Sequence, residues 1–171
     1  KFKRDDAGNF SSSRAPRLST TERSWVKDLA SNYENWRDLV NSSSATSHDL
    51  EFVIAPKPMM KSYALGLPRI DAVFWHSKTS CTILEGKITS SPADIMGGVG
   101  QLIYYKTLME VQLGFSVERM ILAAPFLPPF VLDAIAHVQA NICFLKATSG
   151  LYSGLVPDYR NLKTIIGVQT E

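Results

Sequence analysis

The sequence predicts an α/β domain built on a mixed β-sheet flanked by helices, and three observations predict it. An amphipathic helical pattern begins near residue 19. Two β-rich runs separated by five polar residues read as a hairpin. Further apolar runs then alternate with helical patterns, giving the order α–β–β–β–α–β–α–β. The hairpin forces antiparallel neighbours, whereas strands joined through helices pair in parallel, so the sheet is mixed. At 171 residues the chain is one domain with at most a short appendage. A chain of that size buries about 70% of its unfolded surface and needs no covalent or metal staple.

The first 18 residues, KFKRDDAGNFSSSRAPRL, are polar and rich in Ser, with five basic residues against two acidic ones. Such composition buries little surface and reads as a flexible basic arm. Ser19-Thr20-Thr21-Glu22 fits a capping box, with Glu22 reaching back to the Ser19 amide. Trp25, Val26, Leu29, Tyr33, Trp36 and Val40 follow at spacings of three and four, one buried helical face that ends in the polar stretch 41–47. Residues 50–55 (LEFVIA) make a short strand before Pro56 and Pro58, and 56–68 are irregular. The hairpin is 69–75 and 81–88 around a loop at 76–80. A helix runs from Pro92 to about Leu113, a strand follows at 119–124, a helix at 129–139 and a strand at 142–146. The tail offers one more strand near 164–168.

Charge excludes little. Eighteen Lys and Arg against sixteen Asp and Glu give +2 and a pI near 8.6, milder than the pI above about 9 typical of nucleic-acid-binding domains. Cys81 and Cys143 lie inside apolar runs. They read as small buried hydrophobes, which excludes a disulfide scaffold and a cysteine-rich zinc site. His48, His76 and His137 share no ligand spacing. No apolar stretch reaches the roughly 18 residues of a membrane span. The first residues carry no signal-peptide core, and the chain does not begin with Met. The reading is therefore a cytoplasmic protein (nuclear if eukaryotic), or a piece of a larger multidomain one.

The hairpin carries charge where apolar residues are expected. Side chains alternate along a strand, so Glu85 and Lys87 share a face with Ile83 in a strand otherwise made of Cys, Ile, Leu and Gly. Burying them costs desolvation unless they pair or bind something. If residue 75 faces 81, then Asp71 faces Glu85, with Cβ atoms about 4.5–5.5 Å apart and like charges opposed. A divalent cation would remove that repulsion, and two hard carboxylates with retained waters suit Mg²⁺ or Mn²⁺. The same register sets Arg69 against Lys87, which a splayed hairpin end would relieve. The plainer alternative is a surface hairpin with an ordinary ion pair. In the following helix Gln101 and Tyr105 stand at i,i+4 on one face, with Gly97 and Gly98 a turn earlier. Each of the helix's three glycines costs about 1 kcal/mol. Close approach to the sheet or to a phosphate would explain them.

Asp71, then Glu85-Gly86-Lys87, then Gln101-Leu-Ile-Tyr-Tyr105 resembles the PD-(D/E)XK nuclease superfamily, and the Gln-x-x-x-Tyr element resembles its RecB-like and Cas4-like subgroup. The similarity covers about residues 19–146, and the order of elements matches that family's αβββαβ core. One departure is that Asp71 follows Arg69-Ile70, with Pro68 close by rather than adjacent. The resemblance implies a restriction-endonuclease-like fold, with 19–171 as a single nuclease-like domain that hydrolyses phosphodiester bonds in DNA. It implies that Asp71, Glu85 and the Gly86 carbonyl hold Mg²⁺ or Mn²⁺, and that Lys87 assists the attacking water. Gln101 and Tyr105 orient that centre or the nucleic-acid backbone. Glu22 is a further candidate ligand, its alternative being the capping box. Lys57, Lys61, Arg69 and Lys78 are candidate phosphate contacts or simply solvated surface. An RNA-cleaving nuclease and an inactive module that binds nucleic acid or assembles a complex are the alternatives, and a homodimer is open.

Overall fold

In the computed structural model, which describes residues 20–54, 67–89, 91–131, 133, 142–147 and 159–161, the first helical stripe is broken into three. Helix α1 (Thr20–Ser31) is followed by α2 (Tyr33–Trp36) and a 3₁₀ turn (Arg37–Val40). The single helix expected to run into the 41–47 stretch is interrupted at Asn32. Its side-chain amide donates to the Asp28 carbonyl at 2.9 Å, and its backbone leaves helical dihedrals. The stripe stays on one side nonetheless: Trp25, Val26, Leu29, Tyr33, Trp36 and Val40 are all buried together.

Six strands form one mixed sheet in sequential order: β1 (Ser47–Val53), β2 (Arg69–Trp75), β3 (Ser80–Gly86), β4 (Ser116–Ala124), β5 (Ile142–Ala147) and β6 (Tyr159–Asn161). The β1–β2, β2–β3 and β5–β6 pairs are antiparallel, whereas β3–β4 and β4–β5 are parallel. Helix α3 (Pro92–Thr107), continued by a π turn (Leu108–Gln112), makes the crossover from β3 to β4. Its start is fixed by Ser91, whose side chain accepts from the Asp94 amide, with Pro92 in the first turn where its missing N–H costs nothing. A further helix starts at Pro129, with 129–131 and 133 helical. The rest of the helix expected to 139, the basic arm, and the strand expected at 164–168 lie outside the described residues. Strand β6 went unforeseen, because three residues carry no alternation to read.

The sheet separates two apolar layers. Val73, Cys81, Ile83, Met120 and Leu122 pack against α3 through Ile95, Val99, Leu102 and Tyr105. Ala72, Phe74, Leu84, Ile121 and Leu145 pack against α1 and α2. Both cysteines are buried and free, one in each layer. At the closed end of the hairpin a buried polar chain is satisfied throughout. Tyr33 donates to Ser42 at 2.7 Å, Ser42 and Thr82 bond at 2.7 Å, and His76 Nε2 meets Thr82 at 2.8 Å. No helix among the described residues is long and apolar enough to cross a membrane.

Gly86 lets α1 lie close over the end of β3. A Cβ built there would stand 2.9 Å from Trp25 Cζ3 and 2.9 Å from Val26 Cγ2, both fully packed side chains. Gly86→Ala is expected to destabilise the protein by about 1–3 kcal/mol, the usual cost of overpacking a core. A urea denaturation curve measures it, and an unchanged midpoint would show that α1 has room to give.

Candidate active site

Strands β2 and β3 pair in the expected register, Trp75 with Cys81 through to Ala72 with Leu84, and their ladder stops there. Asp71 and Glu85 are the next pair in line, at the mouth where the strands part. In place of a ladder bond, Asp71 Oδ2 accepts the Gly86 amide at 2.9 Å, while the Lys87 amide turns to the Ala123 carbonyl on β4. The splayed end also keeps Arg69 off Lys87. Arg69 instead pairs with Glu51 on β1 at 3.5 Å.

Asp71 drops out of the ladder on its other side as well. Strand β1 pairs Leu50 with Ala72 and Phe52 with Ile70, passing over Glu51, whose backbone is left-handed at φ 51°. That kink reverses the faces of both strands. Ile70 and Val73 lie in the α3 layer, while Ala72 between them lies in the α1 layer. Non-glycine residues in such dihedrals cost about 1–3 kcal/mol and gather at functional sites. Sequence reading missed Glu51, which looks like any charged strand residue until its dihedral is known.

Both carboxylates are deeply buried, Asp71 5% and Glu85 2% exposed. Lys87 Nζ donates to Glu85 Oε1 at 2.7 Å and to Gln101 Oε1 at 2.7 Å, and Gln101 Nε2 donates to the Tyr105 hydroxyl at 3.3 Å. Strand alternation and the i,i+4 spacing on α3 thus deliver Glu85, Lys87, Gln101 and Tyr105 to one chain of contacts. Gly98 makes room for it: a Cβ there would stand 2.7 Å from Leu122 Cδ1 and 3.0 Å from Lys87 Cε. Gly97 and Gly100 meet nothing within 4 Å, so the close approach expected of the glycines belongs to Gly98 alone.

Burial raises the pKa of both carboxyls. At Glu85 the charge of Asp71 adds to burial and outweighs the help from Lys87, and at Asp71 the Gly86 amide only partly offsets burial. Glu22 adds repulsion at both, which places the α1 carboxylate within electrostatic reach of the pair. Tyr105 is pushed up to about 12 by burial and by the Glu85 charge, so its hydroxyl stays protonated.

The donor set fits a small divalent ion. Glu85 Oε2 is buried and meets no hydrogen-bond partner among the described residues, a state that costs an oxygen about 1–3 kcal/mol. Among the described residues no three His, Cys, Asp or Glu groups converge on one point. Asp71 and Glu85 would be the side-chain donors to such an ion, with the Gly86 carbonyl and water completing a shell of the sort Mg²⁺ keeps. Glu22, the further candidate ligand, is felt by both carboxylates as a like charge.

The basic residues divide. Lys78 is exposed in the hairpin turn, at the closed end of β2 and β3. Five residues along a strand at about 3.3 Å each put that turn roughly 16 Å from Glu85, so Lys78 does not flank the carboxylates. Arg69 lies two residues from Asp71. Lys57 and Lys61 lie outside the described residues. No protein-family model matches the chain, and no curated protein matches it.

Proposed function

We propose that this protein is a Mg²⁺- or Mn²⁺-dependent nuclease of the PD-(D/E)XK kind that hydrolyses phosphodiester bonds of DNA. One observation carries the proposal: a buried, mutually repelling Asp71–Glu85 pair with an unsatisfied oxygen, joined to an ammonium that Gln101 holds in place. A structural ion pair has no use for the second carboxylate. Bound between the carboxylates, the ion would polarise a phosphoryl oxygen and lower the pKa of a water.

The protein's own groups do the rest. Lys87 directs two of its three N–H bonds to Glu85 and Gln101, leaving the third for the attacking water or a phosphate oxygen. Its fixed charge then meets the negative charge that grows on phosphorus oxygens during attack, without reorganisation. Gln101 holds Lys87 through its carbonyl oxygen and is itself held at the amide by Tyr105, a chain that orients the ammonium. Water attacks phosphorus, a P–O ester bond breaks, and a phosphomonoester and a hydroxyl end result.

Labelled single- and double-stranded DNA, and RNA of the same sequence, incubated with Mg²⁺, Mn²⁺ or EDTA, test the proposal. Cleavage of DNA with either metal and none in EDTA is expected. Cleavage persisting in EDTA contradicts the mechanism, cleavage of RNA alone reassigns the substrate, and metal binding without turnover indicates a binding or assembly module.

A further inference from the structure

Outside the carboxylate pair, α1 and β1 enclose a cleft of about 210 Å³ lined by Arg23, Val26, Lys27, Leu50, Glu51 and Asp71. Asp71 therefore faces both this cleft and the candidate active site. Arg23 Nη2 donates to both oxygens of Glu51, at 2.7 and 2.6 Å, and Arg69 Nη1 reaches Glu51 Oε1 at 3.5 Å. Two guanidinium groups thus meet one carboxylate beside Asp71, and Lys27 lines the same cleft. The left-handed backbone at Glu51, unfavourable for a residue with a Cβ, is what turns it out of the β1 ladder.

We propose that Arg23, Lys27 and Arg69 form a subsite for a backbone phosphate of the bound strand, occupied by the Glu51 carboxylate in the free protein. The identity of the ligand as a nucleic-acid strand rests on the nuclease reading. Three features support the subsite. Guanidinium forks take carboxylate and phosphate oxygens with the same geometry, so one can replace the other. The pair is reachable from solvent, Arg23 being 53% and Glu51 24% exposed in their side chains, and exposed ion pairs of this sort hold weakly against a competing anion. Arg69 Nε is buried and meets no partner among the described residues, so Glu51 leaves the second guanidinium only partly satisfied. A phosphate seated here lies next to Asp71, where the neighbouring ester would be cut. Glu51 then acts as a gate that only a polyanion displaces.

The test is equilibrium binding of a fluorescent oligonucleotide to the full chain in EDTA, where nothing turns over, as a function of salt. Arg23→Gln is expected to weaken binding about 10-fold and to lower the salt slope by about one, the signature of one lost phosphate contact. Glu51→Gln is expected to tighten binding about 3-fold or more, since it frees both arginines. Lys27→Gln, at an exposed position, is expected to weaken binding and keeps the test available should the Glu51 variant fail to fold. Unchanged binding in Arg23→Gln and Lys27→Gln, or weaker binding in a folded Glu51→Gln, overturns the subsite. Inorganic phosphate at an equal phosphate concentration should leave the oligonucleotide bound, whereas displacement assigns a free-phosphate site and overturns the strand assignment. Arg23-dependent binding by a protein that never cleaves with Mg²⁺ fails the nuclease reading alone. Lys87-dependent cleavage with Arg23-independent binding fails the subsite alone.

Discussion

Lys87→Met is expected to lower the Mg²⁺-dependent cleavage rate by about 10²–10³-fold, the usual loss when one preorganised group facing transition-state charge is removed. Methionine keeps an unbranched stem under Gly98, where the lysine Cγ and Cε now pack, so the fold should survive. What disappears is the ammonium 2.7 Å from both Glu85 and Gln101. Binding of metal need not suffer, since a cation competing for Glu85 has also gone. The loss should therefore fall on the rate at saturating Mg²⁺, with the metal requirement retained. Lys87→Arg should recover only part of the activity, because a planar fork does not fit the position where one nitrogen serves two acceptors. Single-turnover rates measure both variants. A Lys87→Met rate within about threefold of the parent would remove Lys87 from the chemistry.

Glu85→Gln should have two opposite effects, on stability and on function. In the metal-free protein the raised pKa of Glu85 means that the folded state holds a proton the unfolded chain has already released. Stability then falls as pH rises above the ordinary carboxylate value near 4.3, and continues to fall through neutrality. Glutamine keeps the shape and an oxygen for Lys87 but cannot ionise. The variant should match the parent near pH 4 and exceed it by about 1–3 kcal/mol at pH 8. Mg²⁺ should reverse the ranking, stabilising the parent more strongly at pH 8 than at pH 5 because the ion binds the ionised pair and releases protons. The variant should show no Mg²⁺-dependent shift and no cleavage. Thermal melts across pH, with and without Mg²⁺, read all of this. A variant less stable than the metal-free parent at pH 8 would mean that Glu85 is a stabilising partner of Lys87 and nothing more.

Much of this arrangement was legible in the sequence because two short periodicities determine it. Alternation in β3 sets Glu85 and Lys87 on the face of Ile83, and the i,i+4 spacing sets Gln101 over Tyr105. Counting back from the five-residue loop gives the Asp71–Glu85 register, and the clash it sets between Arg69 and Lys87 is what calls for the parted hairpin end. What the sequence hid depends on backbone features without a residue signature. The dihedral of Glu51, which frees Asp71 from the β1 ladder, belongs to a residue type with no preference for it. The break at Asn32 depends on one side chain outcompeting the helix. The 76–80 loop already sets Lys78 at the closed end of the hairpin, away from Asp71 and Glu85, whereas β6 is too short to announce itself. Gly86 and Gly98 were visible as glycines, but which neighbours they make room for required the packing of α1 and α3.

The most direct test is a Mn²⁺-soaked crystal, located by anomalous scattering. One ion at coordination distance from Asp71, Glu85 and the Gly86 carbonyl, with water completing its shell, is the expected result. An ion bound elsewhere, or a Glu85 whose contacts stay with Lys87 alone while the crystal is saturated with Mn²⁺, would contradict it.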